Sequence, residues 1–213
     1  MISINKLAKK KKLKIIEDCS QAHGASINLK QVGSFGDVAT WSFCTDKIIS
    51  TLGEGGMIST NNKRVYEFCK KYINHGTAKQ KKKNSNKFIY NKDSFGTNLR
   101  ITEIQSVAGL EQLKDLKITQ KKREKISKGY FDLISKYSDF INCHMPEKDI
   151  KNAWYRFYFF LKPNMKRCQK IRYQMIKSLN TDTLRCFAGA CPEIYLERAF
   201  KNLKNFKVKR LKN

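Results

Sequence analysis

No stretch of this chain approaches the roughly twenty consecutive apolar residues needed to cross a bilayer, so no membrane span is expected. Acidic residues are scarce: 18 Asp and Glu stand against 44 Lys and Arg, a formal net charge of +26. Taken alone, that excess points toward nucleic acid or another polyanion. It is mostly lysine, however, spread from Lys6 to Lys212 beside abundant Asn and Ile, as a genome biased toward A and T produces. A scattered, solvated surface is not a groove-tracking patch. The densest blocks are residues 9–12, 79–83 and 121–123, and the middle one falls in the polar run 78–87, which reads as a flexible loop.

Other absences narrow the classes further. Seven cysteines are an odd number, the N-terminus shows no secretory pattern, and no small disulfide framework is present. A reducing, cytoplasmic compartment is therefore expected. Cys186 and Cys191 have the wrong spacing for a zinc knuckle, and Cys143 with His144 lacks a second ligand pair, so no metal site is expected. There is no Walker loop, no Gly-x-Gly-x-x-Gly and no Ser-His-Asp order. At 213 residues the chain has room for one domain, or one and a small second, with a core.

What is present alternates between strand and helix patterns, the mark of an α/β fold. After an N-terminal helix over 1–8, strands are expected at 14–17, 37–43 and 57–60, then a helix at 63–72 stopped by Asn74-His75-Gly76. From Thr102 the positions Ile104, Val107, Ala108, Leu113 and Leu116 recur near the helical period. A second helix is expected at 121–137, a break over 138–152, an aromatic strand at 154–161 and a helix at 165–179. The boundary between a large domain (1–125) and a small α+β domain (126–213) is placed near residue 125.

The chemistry gathers between residues 15 and 56. Ile15-Ile16-Glu17-Asp18 is an apolar strand ending on a carboxylate, Thr40-Trp41-Ser42 a strand ending on a hydroxyl, and Lys47 precedes the turn Gly53-Glu54-Gly55-Gly56. Pyridoxal phosphate (PLP) requires such a set. A carboxylate, here Asp18, keeps the pyridine nitrogen protonated so that the ring acts as an electron sink. A lysine amine, here Lys47, holds the aldehyde as a Schiff base and later carries a proton. A hydroxyl, here Ser42, donates to phosphate, and the glycines turn the chain tightly into the next strand. Strand ends are where open α/β sheets place ligands. His23 and His75 lie nearby, but histidines satisfied by backbone groups are the commoner case, and neither is assigned a role.

These residues carry a resemblance to the DegT/DnrJ/EryC1/StrS sugar aminotransferases, PLP enzymes of the aspartate aminotransferase fold. It rests on Ile16 to Ala25, Val32-Gly33-Ser34-Phe35-Gly36-Asp37, Trp41-Ser42-Phe43 through Lys47, Gly53-Glu54-Gly55-Gly56-Met57, and Gly96-Thr97-Asn98-Leu99-Arg100-Ile101-Thr102-Glu103-Ile104-Gln105. It implies the C-terminal part of the PLP-binding large domain, a mainly parallel sheet flanked by helices, followed by the small domain. It also implies that Asp18 pairs with the pyridine nitrogen, Gln21 contacts the ring oxygen, Ser42 binds phosphate and Lys47 is the Schiff-base lysine. Asn98 matches a residue that reaches the phosphate of the neighbouring subunit's cofactor, which implies a homodimer. Family members are about twice as long. The likeness therefore begins midway through the large domain, without the family's Gly-Thr phosphate cradle and ring-stacking aromatic, and the end resembles a second truncation.

The resemblance implies transfer of an amino group, from glutamate, to a nucleotide-linked keto-sugar in surface-polysaccharide biosynthesis. Residues 186–195 resemble the loop that approaches the sugar, without the histidine many relatives carry there. The alternatives are a catalytically incompetent fragment or half of a split enzyme needing a complementing N-terminal half, and a basic nucleic-acid-binding protein. For the latter, the aromatic run 154–161 lacks the glycine-containing RNP pattern of RNA-binding sheets.

Overall fold

The computed structural model describes residues 1–77, 92–162, 168–189 and 194–201. The lysine block at 79–83, the start of the helix expected at 165–179, and part of the 186–195 loop lie outside these residues. The chain divides into two compact units, Met1–Leu133 with His144–Phe157, and Ile134–Cys143 with Tyr158–Asn213.

In the first unit, helix α1 (Ile2–Lys11) carries Lys9, Lys10 and Lys11 in its last turn, where the helix dipole favours cations. Lys12 ends it in the left-handed conformation, its N–H turned back to the carbonyls of Ala8 and Lys9. The chain then enters β1 (Ile16–Asp18). Two short strands, β2 (Ser26–Ile27) and β3 (Lys30–Gln31), separate β1 from β4 (Val38–Ser42), and β5 (Gly56–Ser59) follows. β1 pairs parallel with β4, Asp18 opposite Thr40, and β4 pairs antiparallel with β5, Ser42 opposite Gly56. The mixed α/β class is as expected, but among the described residues β1 with β4 is the single parallel pairing, where a mainly parallel sheet was expected, and the other pairings are antiparallel. That parallel pairing puts Asp18 and Ser42 at the same end of neighbouring strands.

Glu17 fixes the connection before β4. Its side chain is buried, and its carboxylate accepts the backbone N–H groups of Gly33 (2.9 Å), Phe35 (2.7 Å) and Gly36 (2.6 Å). A buried charge needs such full satisfaction. Asp37 then accepts from the Ile15 backbone and from Lys14.

Helix α2 (Lys63–Tyr72) matches the expected span. Asn62 caps it, accepting from the N–H groups of Arg64 and Val65, and the Gly76 N–H closes its end on the Lys71 carbonyl. Helix α3 (Glu103–Ser135) corrects the sequence reading, because the helices expected from Thr102 and over 121–137 are one continuous element, within which residue 125 lies. At the junction of the two expected helices Gln120 is buried and bonded at both ends of its amide, to the His23 carbonyl (3.2 Å) and Lys151 (3.1 Å). β7 (Ile150–Lys151) joins the β3-β2-β7 sheet.

The aromatic run is also corrected. Residues 154–159 are not a strand: Trp154 has φ 51°, and its carbonyl and that of Tyr155 are taken by the Arg123 guanidinium at 3.0 and 3.4 Å. Only β8 (Phe160–Leu161) pairs, with β6 (Ile141–Asn142), in the second unit. That unit also holds α4 (Cys168–Leu179) and α5 (Arg198–Lys201).

Among the described residues the buried apolar set is small: Ala8, Cys19, Ala39, Ile48, Ile49 and Ala153. Four of the six, Cys19, Ala39, Ile48 and Ile49, belong to the end of β1, to β4 and to the segment after β4, the part of the fold that carries the candidate site. No helix among the described residues is long and apolar enough to cross a membrane.

Candidate active site

The parallel pairing of β1 and β4 places three side chains around one strand end. Asp18 is exposed at the tip of β1, and both the backbone N–H and the hydroxyl of Ser20 donate to its Oδ1. Those two bonds, with a smaller contribution from the Lys47 ammonium, hold the carboxyl below its ordinary range despite partial desolvation. It is thus an ionised acceptor with a second oxygen open. Gln21 follows in the turn, exposed.

His23 lies behind them, 2% exposed, its ring against Trp41 (centroids 5.5 Å) and Phe43 (5.9 Å). Neither ring nitrogen makes a well-formed hydrogen bond. Burial lowers its pKa and the Lys47 charge adds to that, while the Ser42 backbone opposes the shift without closing a bond. His23 is accordingly a neutral imidazole with unused polar capacity. Cys19, between Asp18 and this ring, is buried and its thiol is pushed up to about 11 by burial and by the charges of Glu17 and Asp18. It is no nucleophile.

Ser42 ends β4 half-buried, its Oγ 3.4 Å from the Cys44 N–H. The segment to Lys47 is then tied down from several sides. The Phe43 N–H bonds the Gly55 carbonyl (2.8 Å), the Thr51 N–H bonds the Phe43 carbonyl (3.1 Å), and the Gln112 amide bonds both N–H and carbonyl of Ser50 at 2.9 and 2.8 Å. Thr51 is buried with its hydroxyl unpaired, and a Cβ at Gly55 would stand 2.3 Å from that oxygen, so only glycine fits there. Lys47 projects from this frame with a side chain only 15% exposed, its Nζ 3.9 Å from Asp46 and 4.8 Å from the centre of the Tyr155 ring.

Asp18, Ser42, Lys47 and the unassigned His23 are therefore brought together, Lys47 acting electrostatically on Asp18 and His23. Asn98 belongs to another network. It bridges Asn74, its Oδ1 accepts the Arg100 N–H, and the neighbouring Thr97 carbonyl accepts the His75 N–H. Among the described residues no hydrogen bond joins Asn98 to the Lys47 cluster.

Asp46, Tyr155 and Arg156 escaped the sequence reading. The Tyr155 hydroxyl donates to Asp46 Oδ2, and Arg156 Nη2 donates to the same oxygen at 3.0 Å. They are 109 and 110 residues from Asp46, so no local spacing announces them. Among the described residues no cluster of His, Cys, Asp and Glu is placed to hold a metal ion.

Comparisons with known proteins identify the kind of molecule this strand end belongs to. Residues 1–213 match the model of the DegT/DnrJ/EryC1/StrS aminotransferase family. GDP-perosamine synthase of Escherichia coli O157:H7 is 34% identical over 155 residues, covering 73% of this chain and 40% of that protein. The dTDP-3-amino-3,6-dideoxy-alpha-D-galactopyranose transaminase of Aneurinibacillus thermoaerophilus is 37% identical over 162 residues, 76% of this chain and 42% of that protein. Among solved structures, an aminotransferase from Psychrobacter cryohalolentis superposes with a TM-score of 0.86 at 35% identity, covering 93% of this chain and 53% of its own. The chain thus spans about half the length of the relatives it matches.

Proposed function

Because the chain belongs to the DegT/DnrJ/EryC1/StrS aminotransferase family, we propose that the strand end bearing Asp18, Ser42 and Lys47 is the lysine-and-acid wall of a PLP site in a nucleotide-sugar transaminase. The observation that carries this reading is that parallel strands β1 and β4 bring Asp18 and Ser42 to one end, with the sheltered Lys47 amine acting electrostatically on the ionised Asp18. The residues fit the cofactor. Asp18 has an open oxygen for a protonated ring nitrogen, Gln21 is exposed beside it for the ring oxygen, Ser42 offers a hydroxyl to phosphate, and the buried His23 has unpaired ring nitrogens.

When bound, PLP supplies an aldehyde and a pyridinium ring that draws electron density from a substrate carbon. Lys47 would be the covalent attachment point, and its amine would carry the proton at the substrate carbon. Asp18 keeps the ring nitrogen protonated, an ion pair that a Ser20-held carboxylate is already set to make. The net reaction passes an amino group from glutamate to a nucleotide-linked keto-sugar, leaving 2-oxoglutarate and an amino sugar for surface polysaccharide. Asn98 acts across a homodimer interface on the phosphate of the neighbouring site. A reducing cytoplasm suits the unpaired Cys19, Cys44, Cys69, Cys143 and Cys186.

The test is uptake of PLP by the purified chain. The expected result is a visible absorption band and, after borohydride, a pyridoxyl group on Lys47, both abolished in Lys47→Ala. Protein that takes up no PLP at all would rule out catalysis by this chain alone.

A further inference from the structure

Tyr155 stands where a lysine of defined position needs a support, and three observations converge on it. First, the Lys47 amine packs against its ring at 4.8 Å, whereas its ion-pair partner among the described residues, Asp46, is 3.9 Å away, too far for a close hydrogen bond. Second, the ring is held by its own neighbours. Its hydroxyl donates to Asp46, Arg156 Nη2 donates to that hydroxyl at 3.2 Å, and the Arg156 guanidinium carbon lies over the ring at 4.9 Å. Third, the backbone is fixed as well, because Arg123 of α3 binds the carbonyls of Trp154 and Tyr155.

Asp46 and Arg156 are about half exposed, 50% and 45%, so their ion pair adds little to stability. Its consequence is geometric. An unbranched lysine side chain has many rotamers, and an amine that must meet one carbon atom gains from being confined beforehand. Asp46 precedes Lys47 directly, so the carboxylate that grips the tyrosine is carried by the same short segment as the amine the tyrosine shelters. The clamp and its load cannot drift apart.

We propose that Tyr155, clamped by Asp46 and Arg156, is a positioning residue that fixes the Lys47 amine at the end of β4; the proposal rests on the reading of Lys47 as the attachment lysine. The test compares the full chain with Tyr155→Leu, Tyr155→Phe and Asp46→Ala, using two readouts on each. Without PLP, acetylation of Lys47 by acetic anhydride is measured against the exposed Lys114 by peptide mass spectrometry. With PLP and borohydride, the share of pyridoxyl label on Lys47 is measured. Removing the ring should raise Lys47 acetylation about fivefold, the scale of a partly desolvated cation–π contact, and should lower its share of pyridoxyl label. Tyr155→Phe keeps the ring but loses the hydroxyl's bonds to Asp46 and Arg156, and should move both readouts in the same sense as Tyr155→Leu by a smaller factor. Asp46→Ala should move both readouts in the same sense as Tyr155→Leu. A masked Cys19 thiol reports that each variant is folded.

Readouts unchanged in Tyr155→Leu, or in Asp46→Ala if the leucine variant unfolds, would overturn the proposal. If the parent places no pyridoxyl on Lys47 while acetylation still responds to loss of the ring, the clamp stands and the cofactor reading falls. The two failures are therefore separable.

Discussion

His23 is the side chain in which burial and charge are most at odds. Its ring is walled by Trp41 and Phe43, neither nitrogen is paired, and burial together with the Lys47 ammonium pushes its pKa below the ordinary 6.5. In the unfolded chain the same histidine takes up a proton near that value, so below about pH 6.5 the unfolded state binds more protons than the folded one. Stability must then fall as the pH drops from 6.5 toward the folded value, and is fully present above 6.5. Asp18, also depressed, loses its contribution in the same direction but only in the carboxylate range. His23→Phe keeps an aromatic body against Trp41 and Phe43 and removes the titration. Its urea midpoint should be flatter than the parent's between about pH 7.5 and 5, with the slope below pH 4 unchanged. A parent-like slope in the upper window would show that His23 is not the group responsible.

At the level of elements, the site is held from behind by α3. Gln112 ties the Ser50 backbone and Gln120 ties the His23 carbonyl, so one helix braces both the segment after Lys47 and the turn after Asp18. Gly24 marks how close that brace comes. It has φ +76°, and a Cβ built there would stand 1.9 Å from the Gln120 amide nitrogen. Gly24→Ala therefore combines a left-handed alanine with eviction of a buried, hydrogen-bonded amide, at a cost of about 2–4 kcal/mol in urea unfolding. Serine at the same place should do no better. This brace also shows why the sequence was only partly legible. α2 was read to the residue because its cap, its amphipathic face and its closing glycine are all local. Asp18, Ser42 and Lys47 were legible because strand ends and a glycine turn mark them. The continuity of α3 was not legible because the contacts that bury Gln120, at the junction of the two expected helices, come from partners 97 and 31 residues away. The aromatic run looked like a strand for the converse reason, since side-chain pattern carries no sign that Arg123 occupies its carbonyls. The Asp46, Tyr155 and Arg156 clamp was invisible for the same cause.

At the scale of the whole molecule, two forces oppose each other. Ile104, Val107, Leu110 and Leu113, on successive turns of α3, are each more than half exposed, apolar area that a second copy can cover. Yet every copy carries a formal +26, so bringing two together costs electrostatic work at low salt. Screening removes that cost, as the Debye length shrinks from about 10 Å at 0.1 M to about 3 Å at 1 M salt, while apolar burial is not screened. Self-association should therefore strengthen as salt rises, whereas binding of the same chain to a polyanion must weaken through loss of counterion release. Sedimentation at 0.1 and 1 M salt reads the first sign directly, and retention on duplex DNA over the same range reads the second. Val107→Gln with Leu110→Gln should weaken the association about thirtyfold at both salts, since each removes on the order of 1 kcal/mol of apolar burial. Thermal unfolding of the unassociated chain should barely change, because both side chains are exposed there. A dimer fraction that falls with salt would instead mean that charge pairs, not the apolar turns of α3, hold the copies together.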